Sequence, residues 1–363
     1  MKNAFLSVED TVALIASRAI LFVSGPECLL RSLPRGNWIG GTTSYFMTPE
    51  GGESREDRLF CTTFDDAVNA RMAILSPDGL SGLTEHRFAH GFTCIVTPAF
   101  STTLQRYAMD GPSLPGLYNQ PVFGWVAGVH LERVGQDVPM VFDGATGAAS
   151  VDGLAALWLA LPETSEVDLD IVNLFAPGEG ESITFPQGGF DVTDCLIGGV
   201  PTNLARYIVE RGIDTTLPLV ADYAGAMINV SFQTVDAKSG SVRFYAPVMP
   251  GTIYRLARTV EDYDAAYADA TREGSAADML SCNCILNYRY AGLEGRPTGG
   301  FVGPVTFGEF AYILLNQTLS RLSVRHALAV GAGSGVRRGA RNAPTRHRSR
   351  SARRSCPPPF RAV

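Results

Sequence analysis

The stretch Ala19–Phe46, AILFVSGPECLLRSLPRGNWIGGTTSYF, decides the fold. Ala19–Ser24 is a short β-rich apolar run, the signature of a buried strand. Gly25-Pro26-Glu27 opens a helix over about 26–33, because proline's missing N–H costs nothing in a first turn. Pro34-Arg35-Gly36 stops it, and Asn37–Phe46 reads as the next strand. Strand, helix and strand with short connections imply two parallel neighbouring strands. Upstream, Ser7-Val8-Glu9-Asp10 is an N-cap with an acidic first turn, opening a helix over about 7–18.

The alternation continues downstream. Residues 47–58, polar and glycine-rich, read as a loop, Arg58–Phe64 as a strand and Ala67–Ala73 as helical. Asp78–Gly91 reads as a loop with a short helix, Phe92–Thr97 as a strand, Pro112–Pro121 as a loop and Val122–Leu131 as a β-rich run. Pro139–Phe142, a helix over about 151–161 and a strand at Ile171–Phe175 resemble a second strand–helix–strand unit, hinting at internal pseudo-symmetry. Leu196–Arg211 resembles a helix that Pro201 starts or kinks. Beyond about 216 come longer strands at Ala226–Thr234, Val242–Pro247 and Thr252–Ala257, then a helix at 260–273. Met279–Tyr288, Gly300–Thr306 and Glu309–Val324 complete the body as strands. The expected fold class is α/β (α+β), two-lobed, with mixed β-sheets flanked by helices. The expected divisions are 1–215, 216–326 and a disordered Arg-rich tail over 331–363.

Of 363 residues, 45% are apolar and 18% charged, enough for a core and far from a disordered or fibrous composition. The net charge of −6 hides a split. Residues 333–363 hold nine arginines and no acid, so residues 1–332 hold 21 basic and 36 acidic groups, a net −15. Only Lys2 and Lys238 are lysines. Such a body is a poor binder of phosphate backbones, and nucleic acid is expected only through the tail. The tail's abrupt Arg/Ser/Pro/Gly composition is also what a shifted reading frame in a GC-rich gene would encode. The seven cysteines are odd in number and scattered through apolar runs, which fits free thiols in a reducing compartment. Glu9, Asp10 and Arg18 interrupt the first apolar stretch, so no signal peptide is read, and no run is long enough to span a membrane. The expected location is the cytoplasm.

Two stretches are similar to a known family. Ala19–Phe46, with Gly40, Gly41, Thr42 and Thr43, resembles the opening of the FIST N-terminal domain, where a strand carries a G-x-S/T-T motif. Met279–Tyr288 with Gly300–Val324 resembles the end of the FIST C-terminal domain, through Ser281, Cys282, Phe307, Gly308, Glu309, Asn316, Gln317 and Thr318. Gly251–Tyr267 resembles that domain's entry. The chain departs from the pattern where Asn283-Cys284 replaces Gly-Arg and Arg289 comes later. The resemblance implies a bacterial signal-transduction input module, a non-enzymatic sensor that binds a small, possibly amino-acid-like molecule between its halves. It implies a separate signalling output protein, since no kinase-, GGDEF- or HAMP-like segment occurs here. Some members of the family resemble haem-dependent nitric oxide sensors.

Several motifs admit two readings. Cys282-Asn283-Cys284 on a strand puts both thiols on one side, as a metal or redox pair or as two small core residues. Zinc would need two more ligands, and no C-x-x-C or H-x₃-H lies nearby. His86 and His90 stand at i, i+4. On a helix they share a face and could grip a metal or an axial haem position, or His90 caps the helix before Gly91. Gly40-Gly41 before Thr42-Thr43 permits close backbone approach to a ligand, or serves a turn or strand edge. Glu309, between apolar strands, must be solvated, paired or bound to a cationic group, and an ammonium or guanidinium ligand or an internal arginine would satisfy it. Asn316 and Thr318 share one face of a strand, with Gln317 on the other. No G-x-S-x-G elbow occurs, so no catalytic residue is assigned, and Cys282 as the nucleophile of a hydrolase or transferase is the enzymatic alternative. The expected ligand contacts are Thr42, Thr43, Cys282, Glu309 and Asn316, with no metal and no cofactor. The alternative is a haem or metal sensor using His86 and His90 or Cys282 and Cys284.

Overall fold

Leu21–Gly25 (β2) and Trp38–Thr42 (β3) pair in parallel across the helix Glu27–Ser32 (α2), as the opening unit requires. A computed structural model describes residues 1–223, 225–270 and 279–326, and the tail from 331 lies outside them. Numbered along the chain, the described strands form five sheets. The first runs β1 (Lys2–Leu6), β6 (Leu59–Thr63), β2, β3, β10 (Val141–Asp143), β11 (Ala148–Ser150). On it lies α1 (Val8–Ala16), capped by the Ser7 hydroxyl, which accepts from the Asp10 N–H at 3.1 Å. Ile15 of this helix joins Leu21, Val23, Leu30 and Trp38 in one apolar cluster.

The second sheet runs β26 (Ile313–Leu315), β25 (Glu309–Ala311), β9 (Val122–Ala127), β8 (Gly91–Pro98), β12 (Leu154–Ala160), β7 (Asn69–Leu75). Its β8 and β9 are parallel, joined through α4 (Thr102–Asp110), and α3 (Gly82–Glu85) precedes them. Phe22, Ile39, Val96, Trp125 and Leu157 form the core between the first two sheets. The Phe22 and Trp125 rings stack at 3.9 Å. A Cβ on Gly41 would stand 2.4 Å from Val96 Cγ1, so only glycine lets these layers close here.

The third sheet runs β13 (Ser165–Val172), β27 (Leu319–His326), β23 (Met279–Cys284), β24 (Gly303–Thr306), β4 (Tyr45–Thr48), β5 (Gly51–Ser54). Its parallel pair, β23 and β24, is bridged by α7 (Ile285–Tyr290). The fourth runs β17 (Val200–Asn203), β16 (Asp194–Ile197), β14 (Ile183–Thr184), β22 (Tyr254–Leu256), β18 (Leu219–Tyr223), β19 (Ala226–Val230). The fifth is β15 (Gly189–Val192), β21 (Ser241–Val248), β20 (Phe232–Asp236). Helix α5 (Leu204–Arg211) closes an apolar cluster shared by the last two sheets, and α6 (Tyr263–Ala270) precedes β23. Parallel and antiparallel pairs coexist, so the class is mixed α/β, as expected. The second and third sheets each draw strands from both sides of position 215, and Met1–Ala327 is one unit. No helix of the described residues is long and apolar enough to cross a membrane.

Several local expectations are corrected. The helix expected at 151–161 is the strand β12, whose seven residues are all buried between β7 and β8. Burial on both faces removes the alternation that marks a strand, and leaves an Ala/Leu run that also suits a helix. The helical segment at 67–73 is its neighbour β7, so 139–175 holds no second strand–helix–strand unit. The single strand at 37–46 is two strands in different sheets, broken at Thr43-Ser44. The loop at 47–58 contains β5, where Gly52 faces the Leu293 carbonyl so closely that a Cβ would sit 2.5 Å from it. Of 196–211 only the last eight residues are helical; the rest is the β16–β17 hairpin, with Pro201 opposite Leu196. The strand at 279–288 turns into α7 after Cys284. Helix α4 was not expected from the sequence.

Candidate functional site

A cleft of about 340 Å³ opens where β2, β3 and β9 end. Carboxyl ends of parallel strands are where α/β sheets present ligands, since the chain there leaves the sheet and frees backbone groups. Its floor includes Thr42, Thr43 and Ser44, and its walls include Cys28, Arg31, Glu56, His130 and Arg133. Thr42 is tied on both sides to Met140, its N–H donating to that carbonyl and its hydroxyl accepting that N–H, each at 3.0 Å. The Thr43 hydroxyl donates to the Val305 carbonyl at 2.6 Å, which joins the floor to β24. Tyr45 fixes the far wall. Its hydroxyl accepts from the Leu131 N–H at 3.0 Å and its ring stacks on His130 at 5.3 Å.

Charge alternates around the rim. Arg31 pairs with Glu27 at 2.6 Å and reaches Met140 Sδ at 3.0 Å. Arg133 pairs with Asp137 and approaches Glu56 at 3.6 Å. Both arginines are half-exposed. Exposed pairs of this kind contribute little to stability and exchange partners readily. None of these charged groups was singled out in the sequence. For Glu27, Arg31 and Arg133 the available signal was their position past strands that prove parallel, whereas Glu56 follows the antiparallel β5.

The other expected contacts lie elsewhere. Cys282, Glu309 and Asn316 are fully buried and do not line the cleft. Glu309 stands on β25 opposite Trp125, and the Thr318 hydroxyl donates to its Oε1 at 3.4 Å. Burial pushes this carboxyl well above the usual range, against the pull of Thr318 and the Cys284 thiol. No arginine is among the neighbours that shift it. Cys282 Sγ lies 3.0 Å from the Thr306 hydroxyl, and burial, then Glu309, pushes its thiol up. A reactive cysteine has the opposite features, an accessible sulfur and a stabilised thiolate. Asn316 Oδ1 accepts the Ser231 N–H at 2.9 Å. The 316–318 segment is not a strand but the link between β26 and β27, with Gln317 at φ 55°. A Cβ on Gly40 would meet the Val23 carbonyl and Leu30, and one on Gly41 would meet Val96, so both glycines serve close packing here.

A scan against protein families matches residues 6–325, nearly all of the unit that holds the cleft and the cluster around Glu309. The chain belongs to DUF6976, a family of unknown function. Comparison with curated proteins returns no match. In this DUF6976 chain the two histidines do not share a helical face, because α3 ends at Glu85. His86 caps it with its ring edge-on to Trp158 at 5.3 Å, while His90 Nε2 contacts the Ser165 carbonyl at 2.8 Å. Among the described residues no three His, Cys, Asp or Glu side chains gather as a metal site.

Proposed function

We propose that this chain is a non-enzymatic cytoplasmic sensory protein, an input module of the kind its resemblance to FIST domains implies, with its ligand in the cleft beside Thr42 and Thr43. The alternation of guanidinium and carboxylate above a hydroxyl-bearing floor carries this reading. A small zwitterion matches that pattern: its carboxylate meets Arg31 and Arg133, its ammonium meets Glu27, Glu56 and Asp137. The volume is that of an amino-acid-sized molecule with its water. Cys282, Glu309 and Asn316 lie buried outside the cleft lining. A separate protein would read the bound state.

The test is a thermal-shift screen of amino acids and related zwitterions on the full chain. A ligand at a hundred times its Kd stabilises the folded state by about 2.7 kcal/mol, a clear rise in melting temperature. The rise should vanish in Arg133→Gln. A library that leaves the melting temperature unmoved, or a shift that survives Arg31→Gln combined with Arg133→Gln, overturns the reading.

A further inference from the structure

The polar side chains that line the cleft divide into those the fold engages and those it leaves free. The Thr43 hydroxyl is engaged twice, donating to the Val305 carbonyl and accepting from the Tyr45 N–H at 3.4 Å. The Thr42 hydroxyl accepts from the Met140 N–H. Ser44 lines the same floor, yet its Oγ makes no hydrogen bond among the described residues and is not sealed from solvent. On the wall stands His130, half-buried and held by its stack on Tyr45. Its Nδ1 accepts from the Glu132 N–H at 3.4 Å. A neutral imidazole that accepts at Nδ1 carries its proton on Nε2, which is therefore a donor. Nε2 has no partner among the described residues and is likewise open.

These two free groups are not needed for the charged ends of a zwitterion, which the arginines and acids of the rim take up. Both can meet a ligand oxygen, because Nε2–H donates and a hydroxyl donates or accepts. An aliphatic side chain would strip water from them and replace none of its hydrogen bonds. A side-chain carboxylate is disfavoured for another reason: three acids, Glu27, Glu56 and Asp137, line the cleft against two arginines. We propose that Ser44 and His130 select the ligand's side chain, and that the cleft takes zwitterions whose side chain ends in a carboxamide. The amide oxygen accepts from His130 Nε2, and the amide N–H donates to Ser44 Oγ. This inference rests on the zwitterion reading of the cleft and adds the class of side chain.

The experiment is calorimetric titration of the full chain with glutamine and with norleucine, which is similar in length and carries no hydrogen-bonding side chain. Glutamine should bind about tenfold more tightly, the worth of one or two hydrogen bonds. That ratio should fall toward one when Ser44→Ala is combined with His130→Phe, which keeps an aromatic ring against Tyr45. The wild-type ratio is a test by itself, whether or not the double variant folds. Equal affinities, a preference for norleucine, or a preference that survives the double variant overturns the side-chain assignment and leaves the zwitterion reading standing. Binding of neither compound overturns the assignment as well, and only a silent zwitterion screen removes the broader reading with it.

Discussion

The cleft and the cluster around Glu309 are both rich in polar side chains, yet they obey different physics. At the rim, Arg31 and Arg133 are half-exposed, and water screens every charge. In the interior, Glu309, Asn283 and Asn287 are sealed, and burial pushes the carboxyl well above its usual range. The lesson concerns tolerance. A rim charge is free to change partners, which suits a ligand that comes and goes. A sealed polar group must be satisfied in place, which suits a scaffold.

Charge reversal breaks the comparison most sharply. Glu309→Lys should cost about 4 kcal/mol or more in urea unfolding, because a cation enters a site with no counter-ion. The same reversal at the rim, Arg133→Glu, should leave the unfolding midpoint nearly where it was. Gly41→Ala comes next, at about 1–3 kcal/mol, because the new Cβ would meet Val96 at 2.4 Å while the floor at Thr42 shifts with it. A cost near zero would show that the two layers give way easily.

The pH dependence sharpens the contrast. Glu309's folded value lies above its ordinary 4.5, and it faces the Cys282 and Cys284 thiols and Tyr267, all kept neutral by burial. The unfolded chain therefore releases this proton first. Glu309's contribution is fully present below pH 4.5 and is lost as pH rises toward the folded value, at about 1.4 kcal/mol per unit. Urea unfolding of wild type and Glu309→Gln should diverge as pH rises above 4.5, the variant gaining on the wild type until Glu309's folded value is reached. Parallel curves would mean that Glu309 is ionised in the folded state. The smallest effect is at the rim. Arg133→Gln should abolish the ligand-induced melting shift while leaving the unliganded melting temperature essentially unchanged.

The parts legible in sequence were those with local causes. Ser7 capping α1 and the β2–α2–β3 unit follow from a hydroxyl, a proline and an apolar run within a few residues of each other. Strand β12 was misread because two-sided burial leaves a helix-like Ala/Leu stretch. The five expected contacts divided for a similar reason. Thr42 and Thr43 follow a glycine pair at a strand end and do line the cleft. Cys282, Glu309 and Asn316 were visible as unusual polar residues in apolar surroundings, but they are fully buried and do not line the cleft.

By itself, the sequence determined the class of fold, the acidity of the body and the polar residues that would need partners, because periodicity, charge and hydrogen-bonding capacity are local properties. Tertiary structure alone decided which of those residues meet water. The chain turns from the first sheet to the third at Thr43, and Val305, some 260 positions later, accepts its hydroxyl. That contact separates an open rim from a sealed interior, and no window along the chain contains both of its partners.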